Sequence, residues 1–157
     1  QGVSSAASDV YKRQMCGLRA LSKGTTMIAV HDGARPLVKP EHIAQVIRDA
    51  SVFGGATLGV PVKDTIKVVN DHLIVDTPYR PHLFITQTPQ VFKRQLYFEA
   101  VTFAEEHALD FTDDCQLIEA INCKVYMTEG DYTNIKITTP EDIAIAEILL
   151  ARQKEEA

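Results

Sequence analysis

The sequence is short of positive charge. Its 16 lysines and arginines face 21 aspartates and glutamates, giving a formal net charge of −5. That balance argues against general nucleic-acid binding, which usually shows a basic excess. A local cationic pocket inside an acidic protein stays open, so small phosphorylated ligands remain in play. Cysteine is also scarce. Cys16, Cys115 and Cys123 form no metal-type spacing and leave an odd thiol, which fits a reducing compartment with inert thiols. No apolar run approaches the roughly 18 residues of a membrane span. No charged-then-apolar leader is visible either, so the cytoplasm is the simplest address. His31, His42, His72, His82 and His107 are scattered, with no close pair at ligand spacing, and a histidine metal site is not expected. There is no internal repeat.

What is present reads as an alternation of strands and helices in one domain over residues 15–157. Residues 1–14, QGVSSAASDVYKRQ, show neither a period of 2 nor one of 3.6. They resemble a spurious stretch found at the ends of translated environmental reads, and are expected to be a non-native or disordered leader. A frayed helix running into Met15–Leu21 is the alternative.

From Thr25, TTMIAV reads as a buried strand. KPEHIAQVIRDASVFGG reads as a helix, with Pro40 in its first turn, Ile43, Val46, Ile47 and Ala50 facing inward, and Gly54 at its end. ATLGVPV is a second strand. TIKVVNDHLIVD is a hairpin turning at Asn70 and Asp71, with a single apolar face. HLFITQT is a strand closed by Pro89. Two helices follow, one carrying Leu96, Ala100, Phe103 and Ala104 on one side, the other capped by Thr112. KVYMTEG and NIKIT read as strands, and a helix capped by Thr139 closes the chain. Such alternation implies an α/β fold with a mostly parallel sheet covered on both faces.

The stretch VHDGARPLV, residues 30–38, carries more chemistry than a turn needs. A turn uses the glycine and the proline, and neither charge. Ligands in open α/β sheets sit outside the carboxyl ends of strands, which is where this loop falls. Asp32 could bind a metal, a hydroxyl or a cation, Gly33 permits close backbone approach, and Arg35 could pair with an anion. Equally, Asp32 and Arg35 could pin the loop by pairing with neighbours. In VPVKDTIK, Lys63, Asp64 and Thr65 lead into the hairpin, where charges are usually just solvated. In NIKITTPED, strand alternation turns Lys136 away from Ile135 and Ile137, either to guard a sheet edge or to hold a phosphate.

Together, VHDGARP, VPVKDTIK, TQTPQVF and NIKITTPEDI resemble 2-C-methyl-D-erythritol 4-phosphate cytidylyltransferases of the non-mevalonate isoprenoid pathway, in order and spacing, from about Gly17 to Arg152. The resemblance implies a Rossmann-like nucleotidyltransferase that joins CTP to methylerythritol phosphate, giving the CDP-alcohol and pyrophosphate. Mg2+ is the implied ion, with Asp32 as its candidate ligand. It also implies that Arg80 and Lys136 position the substrate's phosphate, that Thr65 contacts it, and that Asp32, Gly33 and Arg35 line the same pocket. The hairpin of residues 63–80 would be an arm clasping a second subunit, placing Thr65 and Arg80 in the partner's site. The net charge and the lack of an apolar span leave no place for nucleic acid or membrane as partners.

One part of the family pattern is not in these residues. The family's glycine-rich loop for the CTP phosphates has no counterpart here, because the only adjacent glycines, Gly54 and Gly55, fall at a helix end. Arg13 stands about where the family has a serine near the nucleotide base. The expectation is therefore a domain without its first strands, inactive alone. A polyol-phosphate cytidylyltransferase, such as one for ribitol phosphate, is the rival within the class. A non-catalytic dimerisation or ligand-binding module is the rival outside it.

Overall fold

A computed structural model describes residues 15–155; the expected leader, and Arg13 within it, lie outside the described residues. Four strands form the main sheet in the order β1 (Met27–Val30), β5 (Phe84–Lys93), β2 (Gly55–Pro61), β6 (Tyr126–Glu129). β1, β2 and β6 point the same way, and β5 runs against both of its neighbours. The expectation of a mostly parallel sheet is thereby corrected. Of the described pairings, β1–β5 and β2–β5 are antiparallel and β2–β6 is parallel. The cause is the connection between β2 and β5. Parallel neighbours need a crossover, but here the chain goes out and back as a hairpin, so that Phe84 pairs with Pro61 where β2 ended.

Pro89 does not close β5, which continues to Lys93. The β2–β5 register shifts between Thr57 and Gly59, so Pro89 falls in an irregularity where its missing N–H leaves no ladder bond unmade.

Alternation along β5 sends adjacent side chains to opposite faces. Val91 packs with Val46 and Ala50 of α1 (Pro40–Phe53) and with Ala56 and Leu58 of β2. Phe92 packs with Tyr97, Ala100, Val101 and Ala104 of α2 (Arg94–Glu106) and with Leu117 and Ile118 of α3 (Asp114–Ala120). Helices thus cover both faces. Ile47, expected inward on α1, is 41% exposed, since one residue past Val46 turns the helix by about 100°. Gly54 ends α1 at φ +93°, a left-handed conformation, and donates to the Ala50 carbonyl.

Aspartates act at the starts of both helices for which a threonine cap was expected. Asp113, not Thr112, caps α3, accepting from the Gln116 N–H at 3.1 Å. At α4 (Pro140–Glu155), Asp142 reaches back to the N–H groups of Thr138 and Thr139, each at 2.8 Å. NIKIT forms no strand. Residues 134–138 instead run from the end of β6 to the loop after β1, where Ile137 N–H donates to the Ala34 carbonyl at 2.8 Å. The inside–outside alternation holds, with Ile135 and Ile137 half-buried and Lys136 exposed, but no strand among the described residues pairs with it.

The arm is a separate two-stranded ribbon, β3 (Val68–Asn70) and β4 (Leu73–Asp76). Asp71 and His72 make its turn at φ 46° and 65°, one residue later than the sequence implied. Val68, Val69, Leu73, Ile74 and Val75 are all exposed, so both faces of the ribbon are apolar rather than one.

Candidate functional site

The loop after β1 is fixed by its own residues and by the irregular part of β5. Asp32 N–H donates to Thr88 Oγ1 at 3.0 Å. The same hydroxyl lies 2.8 Å from His31 Nδ1, and His31 Nε2 lies 3.2 Å from the Arg35 carbonyl. Arg35 N–H closes the turn on the Asp32 carbonyl at 3.0 Å. His31 thus orients the loop from both ring nitrogens.

Arg35 reaches across the strand ends, its Nη1 donating to the Asn134 carbonyl at 2.7 Å. Asn134 is 1% exposed, and its amide donates to the Thr88 carbonyl at 3.0 Å and to Gln87 Oε1 at 3.3 Å. Gln87 Nε2 in turn donates to the Asp131 carbonyl at 2.8 Å. Beside it Gly130 lies against Gly59, its N–H donating to the Gly59 carbonyl at 2.8 Å. A Cβ on Gly130 would strike Gln87 Oε1 and crowd the Gly59 backbone, so the close approach favours glycine.

These anchors bring Lys136 to the β1 loop. Its Nζ lies 3.0 Å from Asp32 Oδ2, and Arg35 Nε lies 3.5 Å from the same oxygen. One carboxylate therefore stands between two cations, and the cluster keeps a net positive charge. The Lys136 side chain is 47% exposed and that of Arg35 12%, so an incoming anion meets the lysine first. An arrangement of this kind can hold a phosphate while the carboxylate keeps the cations in place. Behind it, Asp114 accepts from the Tyr97 hydroxyl. Burial, with the charges of Asp113 and Asp32 adding to it and the Tyr97 hydroxyl opposing it, raises the Asp114 carboxyl above its ordinary range.

Of the residues singled out in the sequence, Asp32, Gly33, Arg35 and Lys136 come together. Thr65 and Arg80 do not join them; both lie at the base of the arm, where Arg80 Nη1 donates to the Lys63 carbonyl at 2.9 Å. Sequence reasoning missed Thr88, Gln87 and Asn134. Two of these stand in TQTPQVF and one in NIKITT, so the stretches were noticed without the uncharged side chains that tie them together. Gly54 and Gly55 hold no phosphate loop: one ends α1 and the other opens β2 against Phe92.

No group of three or more metal-ligating side chains occurs among the described residues. Asp32 is the carboxylate of the cluster, but its Oδ2 stands between Lys136 and Arg35, so it fits Mg2+ only together with substrate phosphates, which supply the remaining ligands beside several waters.

The sequence matches the model of a family described as 2-C-methyl-D-erythritol 4-phosphate cytidylyltransferase over residues 6–152. A protein of that name from Caldanaerobacter subterraneus subsp. tengcongensis is 48% identical over 137 residues, covering 87% of this chain and 60% of that one. Another from Desulforamulus reducens is 46% identical over 138 residues, covering 87% and 59%. Among solved structures, the 4-diphosphocytidyl-2C-methyl-D-erythritol synthase of Anaerococcus prevotii superposes with a TM-score of 0.82 at 33% identity, covering 88% of this chain and 64% of that one. The 2-C-methyl-D-erythritol 4-phosphate cytidylyltransferase of Thermus thermophilus gives 0.78 at 33% identity, covering 95% and 70%. The chain thus spans about 60% of the length of the curated relatives it matches.

Proposed function

The chain belongs to the 2-C-methyl-D-erythritol 4-phosphate cytidylyltransferase family, and from that premise we propose that it supplies the alcohol-phosphate site of an enzyme transferring a cytidylyl group from CTP to methylerythritol phosphate. The observation that carries this reading is the Asp32 carboxylate held between Lys136 and Arg35 at the carboxyl end of β1. The substrate's phosphate oxygen attacks the α-phosphorus of CTP, the bond to the β-phosphate breaks, and pyrophosphate leaves with the electron pair. Two polyanions must meet, so positioning and charge neutralisation dominate.

Lys136 is the movable cation of the cluster. It rests on Asp32 and turns to the substrate's phosphate when that anion arrives. Arg35, committed to Asn134 and Asp32, keeps the loop in shape. Gly33 lets the substrate approach the backbone. Asp32 could hold a divalent cation, which would supply charge neutralisation for the phosphates. Thr65 and Arg80 serve the cluster of a second subunit, with the arm as the clasp of a homodimer; the apolar faces of β3 and β4 suit such a role.

The 157 residues contain no glycine-rich loop for the CTP phosphates. This polypeptide by itself should release no pyrophosphate from CTP, because one oxyanion-type donor alone is worth about 10²- to 10³-fold in rate. No helix among the described residues is long and apolar enough to cross a membrane, and the odd, unpaired thiols suit a cytoplasmic setting. Calorimetric titration with methylerythritol phosphate, ribitol 5-phosphate and CTP tests the assignment. The expected order is methylerythritol phosphate first, with CTP weakest. Equal or tighter binding of ribitol 5-phosphate would move the chain to the polyol rival.

A further inference from the structure

The loop between β6 and α4 is gripped by the base of the arm through one side chain. The Tyr132 hydroxyl donates to the Pro61 carbonyl at 2.6 Å, and Lys63 Nζ stands 3.5 Å from the centroid of the same ring. Pro61 ends β2, and Lys63 begins the outgoing leg of the arm. On the returning leg, Arg80 Nη1 holds the Lys63 carbonyl at 2.9 Å. The outgoing leg therefore touches the tyrosine directly, and the returning leg is tied to it through Lys63.

Tyr132 also lies inside the turn that sets the Lys136 loop. Asn134 N–H donates to the Asp131 carbonyl at 3.0 Å, closing the turn around Tyr132 and Thr133. Asp131 is fixed by its ion pair to Lys39 at 2.7 Å, and Asn134 is buried beneath Arg35. Lys136 follows two residues later. The ring itself is 42% exposed and belongs to neither core cluster, so packing of the interior does not call for a tyrosine at this place.

We propose that Tyr132 is a positioning residue that couples the base of the arm to the loop carrying Lys136, so that seating the arm sets where the lysine ammonium stands. The link to catalysis rests on Lys136 holding the substrate's phosphate; the mechanical coupling does not, and is measurable without any ligand. A cation–π contact at an exposed site is worth about two- to fivefold in an equilibrium, and the loss of the whole ring removes the hydroxyl bond as well.

Hydrogen exchange by NMR on the full chain tests this with Tyr132→Phe, Tyr132→Ala and Lys63→Met. Exchange at the Asn134 and Ile137 amides should quicken about threefold in Lys63→Met and about tenfold in Tyr132→Ala, in line with the worth of one cation–π contact and of that contact plus one hydrogen bond. Tyr132→Phe, which keeps the ring but loses the bond to the Pro61 carbonyl, should quicken exchange about threefold, short of Tyr132→Ala, and the Leu58 and Val91 amides should not change in any variant. Unchanged exchange at Asn134 and Ile137 in Lys63→Met, or equal quickening at Leu58 and Val91, overturns the coupling. Should Tyr132→Ala fail to fold, Lys63→Met and Tyr132→Phe decide alone. The same proteins are then titrated with methylerythritol phosphate, whose affinity should fall in step with the exchange. If the unaltered chain binds none, the functional reading fails while the exchange result still decides the coupling. If it binds and its affinity ignores the exchange, the coupling does not reach the substrate.

Discussion

Asp32 shares one oxygen, Oδ2, between Lys136 and Arg35, and that sharing separates the two cations in their consequences. Lys136→Met leaves Asp32 its arginine, so the fold should persist while affinity for an alcohol phosphate falls about 10- to 100-fold, the worth of one charge-assisted hydrogen bond; calorimetry reads it. Asp131 behaves differently. Burial opposes its charge, but the Lys39 ammonium and the Thr133 N–H and hydroxyl outweigh that and hold the carboxyl down at about 2. The ordinary value is 3.8, so the folded chain binds this proton less readily than the unfolded one. The stabilisation is full above about pH 4 and is lost as pH falls through about 2. Asp131→Asn should cost about 0.5–1 kcal/mol at neutral pH, discounted for solvent screening, with no difference left in strong acid; urea unfolding across pH checks both ends. At this scale the charges of VHDGARP and NIKIT were legible, because a turn has no use for them. Thr88 and Asn134 were not. Their partners lie 56 and 99 positions away in the pairs Asp32–Thr88 and Arg35–Asn134, and an uncharged side chain gives no local sign of so distant a bond.

Elements were legible where a pattern had a partner to pack against. The strand and helix periods found β2, α1 and α2, whose marked faces are largely buried. By contrast β1, expected as a buried strand, leaves Ala29 exposed, and α4 buries Ala146 while Ile143, Ile145, Ile148 and Leu150 stay exposed. NIKIT has the same alternation but no neighbouring strand, and β5 runs through a proline because the register shifts there. Neither a missing partner nor a register shift is written in one segment. The arm is the sharpest case: Val69 and Ile74 pair with each other across the ribbon and are both exposed, so the second apolar face does not serve this chain's interior. Val69→Lys with Ile74→Lys should leave the folded subunit intact and abolish the proposed homodimer in sedimentation velocity. A dimer of undiminished strength would remove the arm from the assembly. Gly130 tests the element behind the site: a Cβ there meets Gln87 Oε1, the acceptor of the Asn134 amide, so Gly130→Ala should displace that bond and lower the affinity for methylerythritol phosphate about tenfold, the cost of leaving a buried polar pair unmade.

Across the whole molecule, a net charge of −5 coexists with a cluster of one carboxylate and two cations. Total charge sets solubility and long-range attraction, whereas the cluster works at hydrogen-bond distance, so the acidic balance does not forbid an anion there. The family was readable from four short stretches in order. The direction of β5 was not, since pairing sense depends on where a hairpin returns the chain. The chain spans about 60% of its curated relatives, and the two cations around Asp32 match the proposed role of holding one phosphate rather than three. The direct measurement is a calorimetric titration of methylerythritol phosphate into the unaltered chain and into Lys136→Met. Saturable binding to the first, weakened at least about tenfold in the second, is the expected result. No heat from the unaltered chain, or equal affinity in both, would contradict a phosphate site built on Asp32, Arg35 and Lys136.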